Sequence, residues 1–377
     1  MTEQTSLHDK KSLYPPLPKG WRRHNSVLVP VFVFVFLGFL PWIPIFNWIS
    51  IFNTSNNYGR GNVAFVLAYA AAGIGFNLLI GYSGTLGLAH AGLFGLGAYG
   101  TAILSAPKEC LGEGCDPVIR AALSGYDWPY LLTIPVVCCA AVIIGVVVGF
   151  PAARLKGFFL AIATLALGEL LITIIRLDDD VWSGLKSNGG TGKQVPLYGL
   201  LGLDRTLSAY MLALIAMLIV FVAYVILTEN RLGRTLKAVR DIEIATGALG
   251  ISSTYYKLVA FGLSAVSAAL AGAAWAQNSA FVNPSSFRSR LLVFLLVVLI
   301  VGGLGRLWGP LVGAIFFVYL RQELQNTQKL LFLILGIALM LAVLVMPNGI
   351  TSLPSRINDS RWAKDLRRRF GLLKVTR

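Results

Sequence analysis

The chain has 377 residues, of which 56% are hydrophobic and only 13% charged. A soluble domain carries about 25% charged residues, so a soluble globular fold is excluded. The formal net charge of +15 would suggest nucleic acid in a soluble protein. Here the basic residues cluster at the two termini and in two short loops, the distribution that orients a protein in a membrane, and a nucleic-acid partner is excluded on that ground. Apolar runs close to membrane-spanning length recur from Val27 to Met346. The expected fold is therefore an all-α, polytopic integral membrane helix bundle in contact with lipid, with about 10 spans (about 8–10), some short or re-entrant.

Residues 1–26 form a polar, basic tail. The first apolar run, 27–46, carries Pro41 and Pro44 and no small-residue cleavage site, so it is expected to be a retained first span. Further spans are expected at 62–81, 85–105, 130–150, 157–176, 208–227, 257–277, 290–302, 309–321 and 329–346. The runs 290–302 and 309–321 are too short for a full crossing, which needs roughly 17–25 residues. They extend, tilt, or enter and leave as a pair of half-helices.

Lys and Arg in short loops mark the cytoplasmic side. The basic segments are the two tails, the link 151–156 and the loop 228–256. Ten spans of this spacing put all four on one side and the acidic loop 106–129 on the other. The domains expected are a cytoplasmic tail over 1–26, a transmembrane domain over 27–350 and a basic cytoplasmic tail over 351–377. The expected location is a bacterial inner membrane with both termini cytoplasmic.

The segment 73–100 reads GIGFNLLIGYSGTLGLAHAGLFGLGAYG. It is apolar and without formal charge, yet rich in glycine. Glycine lets helices in a membrane approach closely, and a helix can break where its freed backbone groups line a cavity. Both readings apply, with the break expected at Tyr82, Ser83 and Gly84 beside a solute path. Asn77 and His90 are candidates for that path or for hydrogen bonds between helices. Glu169 is the one acid inside an expected span; it faces the path, pairs with a polar group of another helix, or is protonated to the neutral form. No catalytic constellation and no metal-ligand spacing is present, so the chain is not expected to be an enzyme. The segment GGTGKQ at 189–194 misses the phosphate-cradling pattern, with Ser187 and Gln194 where glycine and a hydroxyl are needed. No cofactor is therefore expected in this chain.

The loop 229–256 reads as a short amphipathic helix at the membrane surface, with Leu236, Val239 and Ile242 at helical spacing and Gly247 and Gly250 permitting a turn back. Its stretch GRTLKAVRDIEIATGALGI at 233–251 resembles the cytoplasmic loop of ABC importer permeases of the branched-chain and neutral amino acid class. The segments 77–99, 257–272, 302–314 and MPNGI at 346–350 are similar to the same family in the same order. The chain looks closest to the second, longer permease subunit; permeases of urea importers are close relatives.

The resemblance implies a second, homologous permease, two cytoplasmic ATPase subunits that hold the ATP and magnesium, and a periplasmic binding protein. It implies that Gly233, Arg234, Arg240, Asp241, Glu243, Ala245 and Gly250 belong to the segment that couples to an ATPase. Relative to the E-A-A-x-x-x-G pattern of such loops, Ile244 stands at the second position and the spacing is stretched by one residue. On this topology Cys110 and Cys115 face the oxidising side, either as a small-loop disulfide or as two free thiols. The disulfide predicts no alkylation at Cys110 or Cys115 by a membrane-impermeant maleimide until reductant is added; labelling of both in unreduced membranes would remove it.

Overall fold

The computed structural model describes residues 57–106, 126–155, 157–176, 193–195, 204–279 and 281–323, with isolated positions between 333 and 349. The expected spans 27–46 and 329–346, both tails, and Cys110 with Cys115 lie outside the described residues or almost wholly so. The elements in order are α1 (Asn57–Asn77), a π turn (Leu78–Tyr82), α2 (His90–Ser105), α3 (Tyr130–Arg154) and α4 (Phe158–Arg176). Then come β1 (Lys193–Gln194), α5 (Arg205–Glu229), α6 (Arg231–Asp241), α7 (Glu243–Ala248) and α8 (Ser253–Ser279). Strand β2 (Phe281–Val282), a 3₁₀ turn (Pro284–Phe287), α9 (Ser289–Gly302) and α10 (Gly309–Glu323) complete the series.

Among the described residues, 5 helices are long and apolar enough to cross a membrane: α1 with its π turn, α3, α4, α5 and α8. They coincide with the spans expected at 62–81, 130–150, 157–176, 208–227 and 257–277. The protein is an all-α, multi-pass helical membrane protein. One small departure is the antiparallel pair β1–β2, which joins Lys193 to Val282 and Gln194 to Phe281. It takes up the end of the GGTGKQ segment.

The span expected at 85–105 is shorter than its apolar run. Residues 84–87 are non-helical and α2 begins only at His90. The extra apolar length is an irregular connection packed inside the bundle, where periodicity cannot distinguish it from helix. Helices α9 and α10 have 14 and 15 residues. At about 1.5 Å per residue neither reaches across roughly 30 Å of hydrocarbon. They form one antiparallel hairpin: a Cβ on Gly302 would overlap the Gly309 carbonyl, and one on Gly313 the Val298 carbonyl.

Helix α8 is central and packs on α1, α2, α3 and α5. Its surface is built from small side chains, with Ala265, Ala268, Ala269, Ala271 and Ala274 buried. Lipid tails are as apolar as these side chains, so association in a membrane depends on close van der Waals contact. Helix α2 meets α8 backbone to backbone, where a Cβ on Gly97 would overlap the Ala269 carbonyl and one on Gly272 the Phe94 carbonyl. Helices α3 and α4 form the outer rim, exposing Ile143, Val147, Phe158, Phe159 and Leu170.

Gly145 lies against Ala265 and Gly149 against Phe261, so α3 and α8 run antiparallel. That places the end of α3, and with it the basic link, beside the start of α8 and the loop 229–256. The two basic segments thus share one end of the bundle, as the charge pattern requires. At the other end Arg60 pairs with Asp204 at 3.7 Å. Gly97→Val and Gly272→Val are each expected to cost about 1–3 kcal/mol or more by overpacking. The check is the amount of chain extracted from membranes as a monodisperse species; normal amounts of both would refute the close α2–α8 contact.

Candidate functional site

The site is built where α1 stops. Asn77 is the last α-helical residue and Leu78–Tyr82 widens into a π turn. The Ser83 amide donates to the Leu78 carbonyl at 3.1 Å and the Thr85 amide to Leu79 at 3.2 Å. Gly84 then takes φ +69°, the left-handed conformation that ends helices and that glycine adopts without strain. The helix therefore breaks at Tyr82, Ser83 and Gly84. Local hydroxyls absorb part of the loss: Ser83 Oγ donates to the Leu79 carbonyl at 2.6 Å and also pairs with Thr85 Oγ1 at 2.6 Å.

Asn77 is fully buried at this break. Its Oδ1 accepts from the Gly305 amide at 2.7 Å. Its Nδ2 donates to the Arg306 carbonyl and to Tyr224 Oη, each at 2.9 Å. One amide thus joins α1, the turn of the α9–α10 hairpin and α5. The two glycine-rich segments, far apart in sequence, meet here: a Cβ on Gly81 would lie 2.7 Å from the Gly305 nitrogen. Tyr82 is buried edge-on to Tyr224, with ring centroids 5.3 Å apart.

The loop 229–256 closes over this break as two helices. Gly233, Leu236 and Val239 face the bundle on α6. Ile242, expected to continue that apolar face, is instead the hinge between α6 and α7 and is 61% exposed. Arg240 Nη1 donates to the Gly81 carbonyl, and its Nε donates to Asp241 at 2.9 Å. Lys237 Nζ sits 4.5 Å over the Tyr82 ring. Partial burial, then the charge of Arg240, lowers the pKa of Lys237 from its ordinary value, and Asp241 opposes the shift. Glu243 begins α7 and accepts from Lys257 Nζ at 2.6 Å. Arg234 and Ala245 stay exposed, and Gly250 turns the chain into α8 with φ +78°.

The remaining candidates lie apart from the break. His90 is buried between α1 and α8, stacked on Phe76 with centroids 4.9 Å apart. Its Nε2 pairs with the Ala72 carbonyl at 2.9 Å and its Nδ1 with Ser264 Oγ at 3.0 Å. A carbonyl only accepts, so Nε2 carries a proton and donates to Ala72, while Nδ1 pairs with the Ser264 hydroxyl. Glu169 Oε1 accepts from the Ser289 amide at 2.8 Å and from its hydroxyl. The carboxylate caps the N-terminus of α9, where the helix dipole favours negative charge. Asn77, Tyr82, Ser83 and Gly84 are thus one cluster, while His90 and Glu169 each tie a different pair of helices.

Sequence reasoning passed over Lys237, Lys257, Tyr224 and Ser289, the partners that give these residues their geometry. It named Ile244 only as a departure from the coupling pattern and passed over Leu249; the two are 88% and 79% exposed on and after α7. Two large aliphatic side chains within a basic loop are a legible signal for a covered surface, since water otherwise faces them. A further pocket of about 100 Å³ lies beside the π turn, lined among others by Ile74, Leu78, Val220, Tyr224 and Leu270.

The family model described as branched-chain amino acid transport system, permease component, matches residues 62–344. The chain is 30% identical to the high-affinity branched-chain amino acid transport system permease protein LivM of Salmonella typhimurium, over 77% of this chain and 70% of that protein. It is 29% identical to LivM of Escherichia coli over the same shares. It is also 29% identical to the ribose import permease protein RbsC of Haemophilus influenzae, over 55% of this chain and 64% of that protein. No solved structure gives a significant match.

Asn77→Ala leaves a buried amide, a carbonyl and a tyrosine hydroxyl without their partner, each worth about 1–3 kcal/mol. It is expected to lower the apparent melting temperature of the detergent-extracted protein by several degrees. Asn77→Asp, which keeps the acceptor and loses both donors, is expected to fall between. Equal melting of all three proteins would refute the role of this amide.

Proposed function

The chain belongs to the permease-component family of branched-chain amino acid transport systems, and from that premise we propose that it is one of two permease subunits of an ATP-driven importer in a bacterial inner membrane. Its substrates are branched-chain or other neutral, hydrophobic amino acids, delivered by a periplasmic binding protein. A second, homologous permease completes the translocation path. Two cytoplasmic ATPase subunits bind and hydrolyse ATP, and this chain performs no bond chemistry. Both of its termini are cytoplasmic, on the side of the loop 229–256.

The observation that carries the proposal is the two-sided character of α6 and α7. One side is gripped by the bundle through Leu236, Val239 and the Glu243–Lys257 pair. The other side offers Ile242, Ile244 and Leu249 to a partner. A helix pair held this way transmits a push and does not merely rest on the surface. ATP binding closes the ATPases, the loop helices move with them, and the bundle opens outward; hydrolysis resets it. The substrate class rests on the similarity to the LivM proteins.

The test is uptake by cells or proteoliposomes containing the chain with two ATPases, a second permease and a binding protein. Labelled leucine, valine and alanine are expected to accumulate with ATP, and urea and ribose are not. Ile244→Asp combined with Leu249→Asp is expected to abolish co-purification of the ATPases and uptake, with the chain itself present at normal levels. Uptake by the chain expressed alone, or normal uptake by the double variant, would overturn the proposal.

A further inference from the structure

Helix α1 ends inside the protein with no basic residue in its own last turn or in the π turn that follows. Its C-terminal end nonetheless meets two cations, one at a carbonyl and one over a ring, and both come from α6. Arg240 donates to the Gly81 carbonyl and Lys237 stands over the Tyr82 ring. A cation at a helix C-terminus complements the dipole and satisfies a carbonyl that the helix cannot. The backbone is shaped to receive it: a Cβ on Gly84 would stand 2.5 Å from Arg240 Cγ. The guanidinium is aimed by Asp241, which takes Nε at 2.9 Å and Nη2 at 2.8 Å and leaves Nη1 for Gly81.

From this geometry we propose that Arg240 is the positioning residue through which movement of α6 and α7 reaches the broken end of α1, so that this π turn is the bundle's receiver of the ATPase stroke. The proposal rests on the importer reading and adds to it where the stroke enters the bundle. A π turn lacks part of the regular hydrogen-bond ladder and is a local point of yielding. A charge-assisted bond to its Gly81 carbonyl therefore displaces the turn when α6 moves. A continuous set of contacts then leads onward: Tyr82 packs on Tyr224, Tyr224 accepts from Asn77, and Asn77 holds the Gly305–Arg306 turn of the α9–α10 hairpin. Displacing the π turn thus shifts the hairpin, which ends short of a full crossing.

The experiment uses the complete transporter and compares Arg240→Ala, Arg240→Gln and Arg240→Lys with wild type. Three quantities are read: ATPase subunits co-purified, basal ATP hydrolysis, and leucine moved per ATP in the presence of loaded binding protein. Arg240→Ala is expected to keep the first two within twofold of wild type and to lower leucine per ATP about tenfold or more, within the span of typical coupling between sites. Arg240→Lys, which keeps a charged donor at this position, is expected to recover at least half of that loss. Arg240→Gln keeps a donor without charge and reads the same quantity should Arg240→Ala not accumulate; a loss of about fivefold is expected. Wild-type leucine per ATP in Arg240→Ala or in Arg240→Gln would overturn the proposal. So would loss of the ATPases from either variant, which would make Arg240 a docking residue. Failure of the importer reading itself would show differently, as wild-type chain that neither retains ATPases nor moves leucine.

Discussion

The structure depends on how a helix that stops inside a bundle disposes of its last carbonyls. In hydrocarbon there is no water to accept them, and each unmet backbone group costs several kcal/mol. Helix α1 stops at Tyr82 and meets this constraint with Ser83 and Thr85 from its own chain and Arg240 from another element. The same constraint applies to the turn between α9 and α10, and Asn77 answers it with both faces of one amide. Because the two breaks share a residue, neither can be repaired alone, and the hairpin, α1 and α5 are fixed relative to one another at one point.

The rest of the bundle follows from the weak drive for helices to associate in lipid. Close contact replaces the hydrophobic effect, so α8 is lined with alanine and meets α2 backbone to backbone at Gly97 and Gly272. Polar groups in the spans then act as pairings between helices. His90 spends both ring nitrogens on α1 and α8, and Glu169 spends its carboxylate on the start of α9. The amide and hydroxyl of Ser289 hold the Glu169 carboxyl at the start of α9, where a helix dipole favours negative charge. The glycines of 73–100 accordingly serve two ends: a break at Gly84 and close packing at Gly97.

Much of this was legible in the residues. Apolar run lengths located the five long helices, and the shortness of 290–302 and 309–321 anticipated two helices too short for a full crossing. The basic link and the basic loop were expected on one side, and α3 packed against α8 brings them there. The break at Tyr82–Gly84 was legible because glycine beside a hydroxyl ends helices by local chemistry. The false start of α2 at residue 85 and the misplaced Ile242 had the same cause: an apolar residue in irregular backbone carries the same pattern as one in a helix.

What the sequence determined by itself is therefore what depends on neighbours along the chain: membrane residence, the places of the long helices, the break, and the amphipathic loop at the basic end. Which side chains meet was decided only by tertiary structure. Arg240 and Gly81 are 159 residues apart, Asn77 and Gly305 are 228, and Glu169 and Ser289 are 120. The physical reason is that a buried carbonyl, amide or carboxylate demands a partner without specifying from where. Many residues in the chain could supply it, and only the packing of small residues against α8 determines which of them arrives.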